Sequence, residues 1–441
     1  VTHTLPDLGP NRPLTLPPQA EKTLANGLTV IAIRRAAVPL VEVRLRIPFA
    51  GADLARSALL ANTLFSGTAE LTTVQIAAEL QAVGGALGAG VDPDRAMISG
   101  NSLASGLDRL MEILAQVLTG ATYPESEVET ERARLVDRIQ IAHSQPSHLA
   151  RVALLKRMYG DHPYAVQTPS VAQAQAVDRD QLLGLHGARL HPFGAHLILV
   201  GDLDPEKVIE VAERRLGDWS GNGAPVELPA TPALVPGPLL LADRPDSVQS
   251  SLRIALPAVP RMHPDHAALQ LANLVFGGYF SSRWVENIRE DKGYTYGPHS
   301  LIDHSIAGSA LLVSAEVATE VTAPALVETL YELGRIATTP VEAAELEQAR
   351  QYALGTLQLG MSTQSGLAGL ASTYAGYGLR LDFLAEHSAR LAAASIADVA
   401  AAAEKYLGPA KGVVVVLGDA KVVQESLSAV APVTVQAATQ E

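Results

Sequence analysis

The residues that could do chemistry are few and scattered. The chain has no cysteine, which removes disulfides, thiolate metal sites and cysteine nucleophiles together. His263-Pro264-Asp265-His266 has the reach of a metal pair. Pro264 and Asp265 read instead as a helix start, with Asp265 near the N-cap, and no third ligand is apparent. His143 and His148 are five apart, which sets them on different faces of a helix. Asp303-His304 reads as an isolated, solvated turn. One further pattern joins a cation to a phenol. Arg289 falls in the last turn of a helix ended by Gly293, and Tyr296 enters a strand that starts near Tyr294. By residue type alone, Arg289 complements the helix dipole and Tyr296 packs at a strand edge.

The elements that must hold these residues repeat. Leu45-Arg46-Ile47 ends an alternating strand and precedes a helix with Leu60-Ala61-Asn62-Thr63-Leu64-Phe65. Leu252-Arg253-Ile254 ends a similar strand before Leu271-Ala272-Asn273-Leu274-Val275-Phe276. Each half closes on a buried-strand run stopped by a Gly-Asp turn, Leu197–Asp202 and Val413–Asp419. Between them, residues 220–238 are dense in Gly and Pro and mark a linker. The fold class is therefore α+β, with two homologous domains, each a mostly antiparallel sheet packed with helices. The expected division is an N-terminal arm over 1–23, a first domain over 24–219, the linker over 220–238 and a second domain over 239–441.

Within the first half, a long helical region is expected from Ser126 to Tyr159. Gly84-Gly85 and Gly88 sit at the exit of an earlier helix. They fit a turn with a bulged strand, or a flat edge strand that another peptide can approach; the bulge is the expected form.

Composition sets the outer limits. Hydrophobic residues make up 48% and charged residues 18% of 441, as in a globular chain. With 33 basic and 46 acidic side chains, the net charge of −13 argues against a broad nucleic-acid or anionic-membrane interface. No apolar run approaches membrane-spanning length. The Pro-rich Thr2–Pro18 stretch and the lack of cysteine tilt the expected compartment toward a bacterial periplasm.

Ala58–Thr68, the Tyr123–Arg132 run, His162-Pro163-Tyr164, Gly201-Asp202, Tyr377-Gly378-Leu379 and Ser395–Val399 occur in an order that resembles the pitrilysin-type (inverted-zincin) metallopeptidases. Processing-peptidase subunits and respiratory core proteins belong to the same family. The resemblance covers roughly residues 24–420. It implies a His-x-x-Glu-His zinc motif on the helix just before the Phe-x-Gly-Thr turn, with a glutamate ligand downstream. Aligned on Phe65 and Gly67-Thr68, Ala58 stands at the first His, Ala61 at the Glu and Asn62 at the second His. Arg138 stands at the downstream ligand, or Asp137 with a one-residue slip, and a lone carboxylate does not hold zinc tightly. The chain is thus expected to bind no metal and no other cofactor of its own.

The resemblance also implies an arginine and a tyrosine in the second domain that face the zinc across the cleft, and Arg289 and Tyr296 match that spacing. In members that work as two chains, one carries the zinc and the other this pair. The expectation is a non-zinc subunit, inactive alone, paired with a homologous zinc-motif chain that holds the zinc. It would act on peptides or unfolded proteins, and supply Arg289 and Tyr296 for substrate binding and oxyanion stabilisation. Two other readings remain: a structural subunit like the respiratory core proteins, or a stand-alone peptide-binding protein.

Overall fold

The computed structural model describes residues 14–221, 223 and 226–438. The first half runs β1 (Gln19–Thr23), β2 (Thr29–Arg34), β3 (Leu40–Pro48), α1 (Leu54–Thr63) and α2 (Thr73–Ala82). Then come β4 (Ala86–Val91), β5 (Arg95–Leu103), α3 (Leu107–Gly120), α4 (Glu125–Ser144) and α5 (Pro146–Tyr159). Short α6 (Val171–Gln175) and α7 (Arg179–Arg189) lead to β6 (His196–Gly201) and α8 (Pro205–Leu216). The second half opens with β7 (Leu239–Asp243), β8 (Gln249–Pro257), α9 (His266–Asn273) and the brief α10 (Arg283–Val285), with π-helical turns at Leu274–Gly278 and Glu286–Asp291. It continues through β9 (His299–Ser305), β10 (Gly308–Ala318), α11 (Thr322–Thr338), α12 (Ala343–Ser362), α13 (Gln364–Gly376), α14 (Phe383–Ala393) and α15 (Ile396–Tyr406). β11 (Val413–Gly418), α16 (Ala420–Ser428) and β12 (Val433–Ala437) complete it.

The strands form two six-stranded, mostly antiparallel sheets, ordered β1-β2-β6-β3-β5-β4 and β12-β7-β11-β8-β10-β9. Five strands correspond one to one. The sixth does not: β1 precedes its neighbour in the chain and runs antiparallel to it, whereas β12 follows its neighbour and runs parallel. The pairing also corrects the register of the repeat. Arg44 faces Ile198 on β6, as Arg253 faces Val415 on β11. Both guanidiniums donate to the carbonyl of the preceding residue and to one on the opposite strand. Arg253 is therefore the counterpart of Arg44 and not of Arg46; a shift of two residues keeps every side chain on the same face, so the pattern could not reveal it.

Two further expectations change. The arm over residues 1–23 is shorter, because Gln19–Thr23 pair with β2; residues 1–13 lie outside the described residues. The helical region from Ser126 is two helices, since Pro146 cannot donate to the preceding turn and instead starts α5 at its first position. The break turns His143 and His148 toward each other, with stacked rings 5.5 Å apart, where one continuous helix would have kept them apart.

Each sheet is apolar on both faces, and each half covers only one of its own. Val30, Ala32, Leu197 and Leu199 face helices of the first half, while Ile33, Ile198 and Val200 face Leu367, Ala368, Ala371 and Tyr374 of α13 from the second half. In return α5 leaves the first half and lays Leu154, Leu155 and Met158 on Ala255, Val413 and Val415. The start of α13 is pinned: the Gln364 amide donates to the carbonyls of Arg35, Val38 and Leu40 at 2.7, 3.0 and 3.1 Å. Its end comes so close to β3 that a Cβ on Gly376 would fall 2.1 Å from the Arg46 guanidinium carbon. Across the same seam, the Tyr164 hydroxyl donates to Asp94 in the β4–β5 turn and accepts from the Ala307 amide at 3.1 Å, and Asp94 accepts from the Ile306 amide at 3.1 Å.

Asp303-His304 is not a solvated turn. Both residues lie in β9, and half-buried His304 joins the buried His266 of α9 and His387 of α14 in a cluster. The Nε2 atoms of His266 and His304 are 3.1 Å apart; His304 Nδ1 meets Ser309 Oγ at 2.8 Å, and His387 Nε2 meets Gln270 Oε1 at 2.8 Å. Asp265 does take the N-cap position of α9, but its carboxylate accepts from Lys405 and Tyr406 of α15 rather than capping. The His266–His304 contact needs one N–H and one lone pair, so at least the accepting ring is neutral. Burial lowers all three pKa values, to about 2 for His266, about 3 for His304 and about 4 for His387, with further repulsion from Arg261 and neighbouring imidazoles.

Two outcomes follow for stability. Because the helices are exchanged, calorimetry should show one transition for both halves, and Leu367→Ala should shift all of it, costing about 2–5 kcal/mol; two transitions with only one displaced would contradict the exchange. The three histidines stay neutral when folded but titrate near pH 6.5 when unfolded, so the unfolded chain takes up more protons below that pH. Stability should fall as the pH drops from about 6.5 toward 4, and His387→Gln should flatten that slope in melts at stepped pH.

Candidate functional site

Three features bear on function: the α1 positions, the β4 edge and the loop after α10. Asp53 caps α1 through the Arg56 amide at 2.8 Å, and Leu59 and Leu60 anchor the helix in the first core. Ala58 is half-buried against that core, Ala61 is 6% exposed and Asn62 faces solvent. Arg138 is exposed on α4, which packs directly on α1. Two methyl groups, an amide and a cation replace a ligand set that requires imidazoles and a carboxylate. The residues present do not fit a zinc ion. Among the described residues, no three His, Asp or Glu side chains converge on a point that could hold a metal. The Phe65–Thr68 turn keeps a structural role. Gly67, at φ 151°, accepts from the Thr122 amide at 3.0 Å, and Thr68 Oγ1 accepts from the Leu71 amide at 3.0 Å.

β4 lies beside α1 and is the outer strand of its sheet. Its register with β5 is continuous from Ala86 opposite Asn101 to Val91 opposite Ala96, with no bulge. The bulge suggested by the glycines is therefore absent, because Gly88 and Gly90 occupy ordinary paired positions. A Cβ at either would meet nothing within 4 Å. The strand offers unhindered backbone along its free edge.

In the second half, the π-helical turn Glu286–Asp291 carries Arg289, and Gly293 at φ 65° turns the chain out of it. β9 begins at His299, five residues later than expected, so Tyr296 lies in the intervening loop and is 86% exposed rather than packed at a strand edge. The structure brings the two residues together. The Arg289 guanidinium sits 4.9 Å from the Tyr296 ring centre and 4.6 Å from that of Phe280, with the Glu290 carboxylate at ion-pair distance, 3.2 Å from Nε. Phe280, itself 59% exposed, is the member that the sequence reading missed. A signal existed: an aromatic residue just past Gly277-Gly278, in a chain with 4% aromatics. Rings on the guanidinium hold it through its π face and leave most of its N–H edge free to donate.

Comparison with known proteins shows the family. Residues 56–169 match the family described as insulinase (peptidase family M16), and residues 176–352 match the one described as the peptidase M16 inactive domain. An uncharacterized zinc protease of Mycobacterium bovis is 26% identical over 82% of this chain and 84% of its own length. A probable inactive metalloprotease of Bacillus subtilis is 25% identical over 48% of this chain and 50% of its own. Among solved structures, a peptidase M16 inactive domain from Pseudomonas fluorescens superposes with a TM-score of 0.83 at 23% identity, covering 91% of this chain and 98% of that one. A protease from Helicobacter pylori gives 0.84 at 18% identity, covering 91% and 100%. Both halves of the family pattern are present in order on the same two-sheet fold, and the chain belongs to peptidase family M16, the pitrilysin-type metallopeptidases.

Proposed function

We propose that this chain is the non-zinc subunit of a two-chain zinc endopeptidase, supplying Arg289 and Tyr296 to the site of a homologous chain that carries the metal. The observation that carries this reading is the exposed Phe280–Arg289–Tyr296 stack. An aromatic-braced arginine and a free phenol have little to gain from standing in water, and both are donors suited to a peptide backbone. The Ala58, Ala61, Asn62 and Arg138 replacements support the same division of labour, as does the probable inactive metalloprotease among the relatives.

The partner's zinc would supply the activated water. This chain's residues act on the peptide. The Arg289 N–H edge and the Tyr296 hydroxyl donate to the bound backbone and to the carbonyl oxygen that gains charge when the bond is attacked. The free edge of β4 can extend an unfolded substrate as an added strand.

The isolated chain should hold no stoichiometric zinc and cleave no fluorogenic peptide; near-equimolar metal with chelator-sensitive cleavage would overturn the reading. Co-expression with a homologous chain containing intact His-x-x-Glu-His should yield a one-to-one complex by light scattering and restore cleavage. In that complex, Tyr296→Phe should cost about 2.7–4 kcal/mol, a ~100- to 1000-fold drop in turnover, with the partner's zinc content and the melting temperature unchanged. Arg289→Ala should also raise KM. Full turnover in both variants would leave the chain as a scaffold like the respiratory core proteins.

A further inference from the structure

The repeat extends to the helix junctions, and there the halves differ. α12 and α13 are offset from α4 and α5 by 218 residues (Glu125 to Ala343, Pro146 to Gln364). At the α12–α13 junction the chain lines a recess with its own extended segment. Leu14 and Leu16 pack on the cluster of Met361 and Leu367, and the Pro18 carbonyl accepts from the Arg34 amide at 2.8 Å as the segment enters β1. At the α4–α5 junction, the equivalent place is an open groove of about 930 Å³.

The groove has a defined chemistry. Its floor is the outer part of the second sheet, Leu240 and Ala242 of β7 with Thr434 and Gln436 of β12. One side of α5 forms a wall, with His148 and Arg151 three residues apart on one face and Lys156 further along the helix. His143 and Arg157 add to the same rim. Among the described residues, no aspartate or glutamate lines it, in a chain of net charge −13. Among the described residues, neither Arg151 nor Arg157 has a carboxylate at ion-pair distance; Lys156 reaches Asp161, and the His148 Nε2 is buried without a partner. Asp303 feels the charge of Arg151 but is not part of the groove lining.

We propose that this groove docks an extended acidic peptide segment. The intramolecular counterpart shows the form that fits such a junction, an extended stretch with alternate apolar side chains. The wall shows the charge: apolar side chains of the guest meet Leu240 and Ala242, and carboxylates meet Arg151 and Arg157, whose planar forks suit them. The site belongs to the second sheet. It is separate from the β4 edge and from the Arg289–Tyr296 stack, and stands whether or not the subunit reading holds.

The test uses the full chain and a fluorescein-labelled octapeptide of alternating Val and Glu, followed by anisotropy, with the Val/Lys peptide as control. Saturable binding of the acidic peptide alone is expected, weakening at high salt, and weakening at least tenfold in the double variant Arg151→Glu/Arg157→Glu with an unchanged melting temperature. Equal binding of both peptides overturns the proposal. Binding that survives the double reversal does so too, since the peptide would then sit elsewhere, as at the β4 edge. Complete displacement by millimolar inorganic phosphate would make it a small-anion site, also against the proposal. The same titration on a chain ending at Ala438 should give the same affinity. Binding seen only in that shortened chain would assign the groove to residues 439–441 and overturn the proposal.

Discussion

A mixed sheet with two apolar faces has to be covered twice, and burying both is what stabilises it. In this chain the second cover always comes from the other half. α13 lies on β6 and β3, and α5 lies on β11 and β8. The remaining architecture follows from that exchange. It fixes how the halves sit together, it places Gly376 against Arg46, and it brings the β9–β10 turn to Asp94 and Tyr164. Neither half is complete by itself, so the unit of stability is the whole chain.

The exchange also explains how the family's chemical positions can be lost without loss of the fold. Leu59, Leu60 and Leu64 hold α1 in the first core, and the Gly67–Thr68 turn holds its exit. Ala58, Ala61 and Asn62 carry no comparable burden, and alanine is the best helix former. Ligands can vanish from such a helix at little structural cost. Arg289 and Tyr296 are different. An 86% exposed tyrosine adds nothing to a core, and its pairing with a braced cation supports the role proposed for it above.

Much of the fold was legible because its signals are local and redundant. The apolar runs at Leu197–Val200 and Val413–Leu417 mark doubly covered strands, and the breakers of the 220–238 stretch mark the join. Other features depend on partners distant in sequence. Nothing near Asp303-His304 shows that His266 and His387 will close around it. Periodicity cannot distinguish Arg44 from Arg46 as the partner of Arg253, because both lie on one face. Pro146 is a breaker within the expected Ser126–Tyr159 region that the sequence reading missed, and nothing near it shows that the helix after it lies on the other sheet. The α1 replacements were readable residue by residue. The Arg289–Tyr296 contact needed coordinates, because β9 starts later than the residue pattern implies and leaves Tyr296 free to fold back.

The mismatch between β1 and β12 reaches beyond this molecule. Reciprocal exchange of one helix for its equivalent closes with two copies, so a half-length chain with this sheet could cover both its faces as a symmetric dimer, each copy lending its crossing helix to the other. Joining two such copies end to end makes the pair permanent and releases them from sharing one sequence. Edge strands are then free to be recruited separately, from ahead of the sheet in one copy and from behind it in the other, and side chains that once had to serve two identical sites can drift apart. Specialisation between the halves of one chain is, in this sense, open to any dimer that can no longer dissociate.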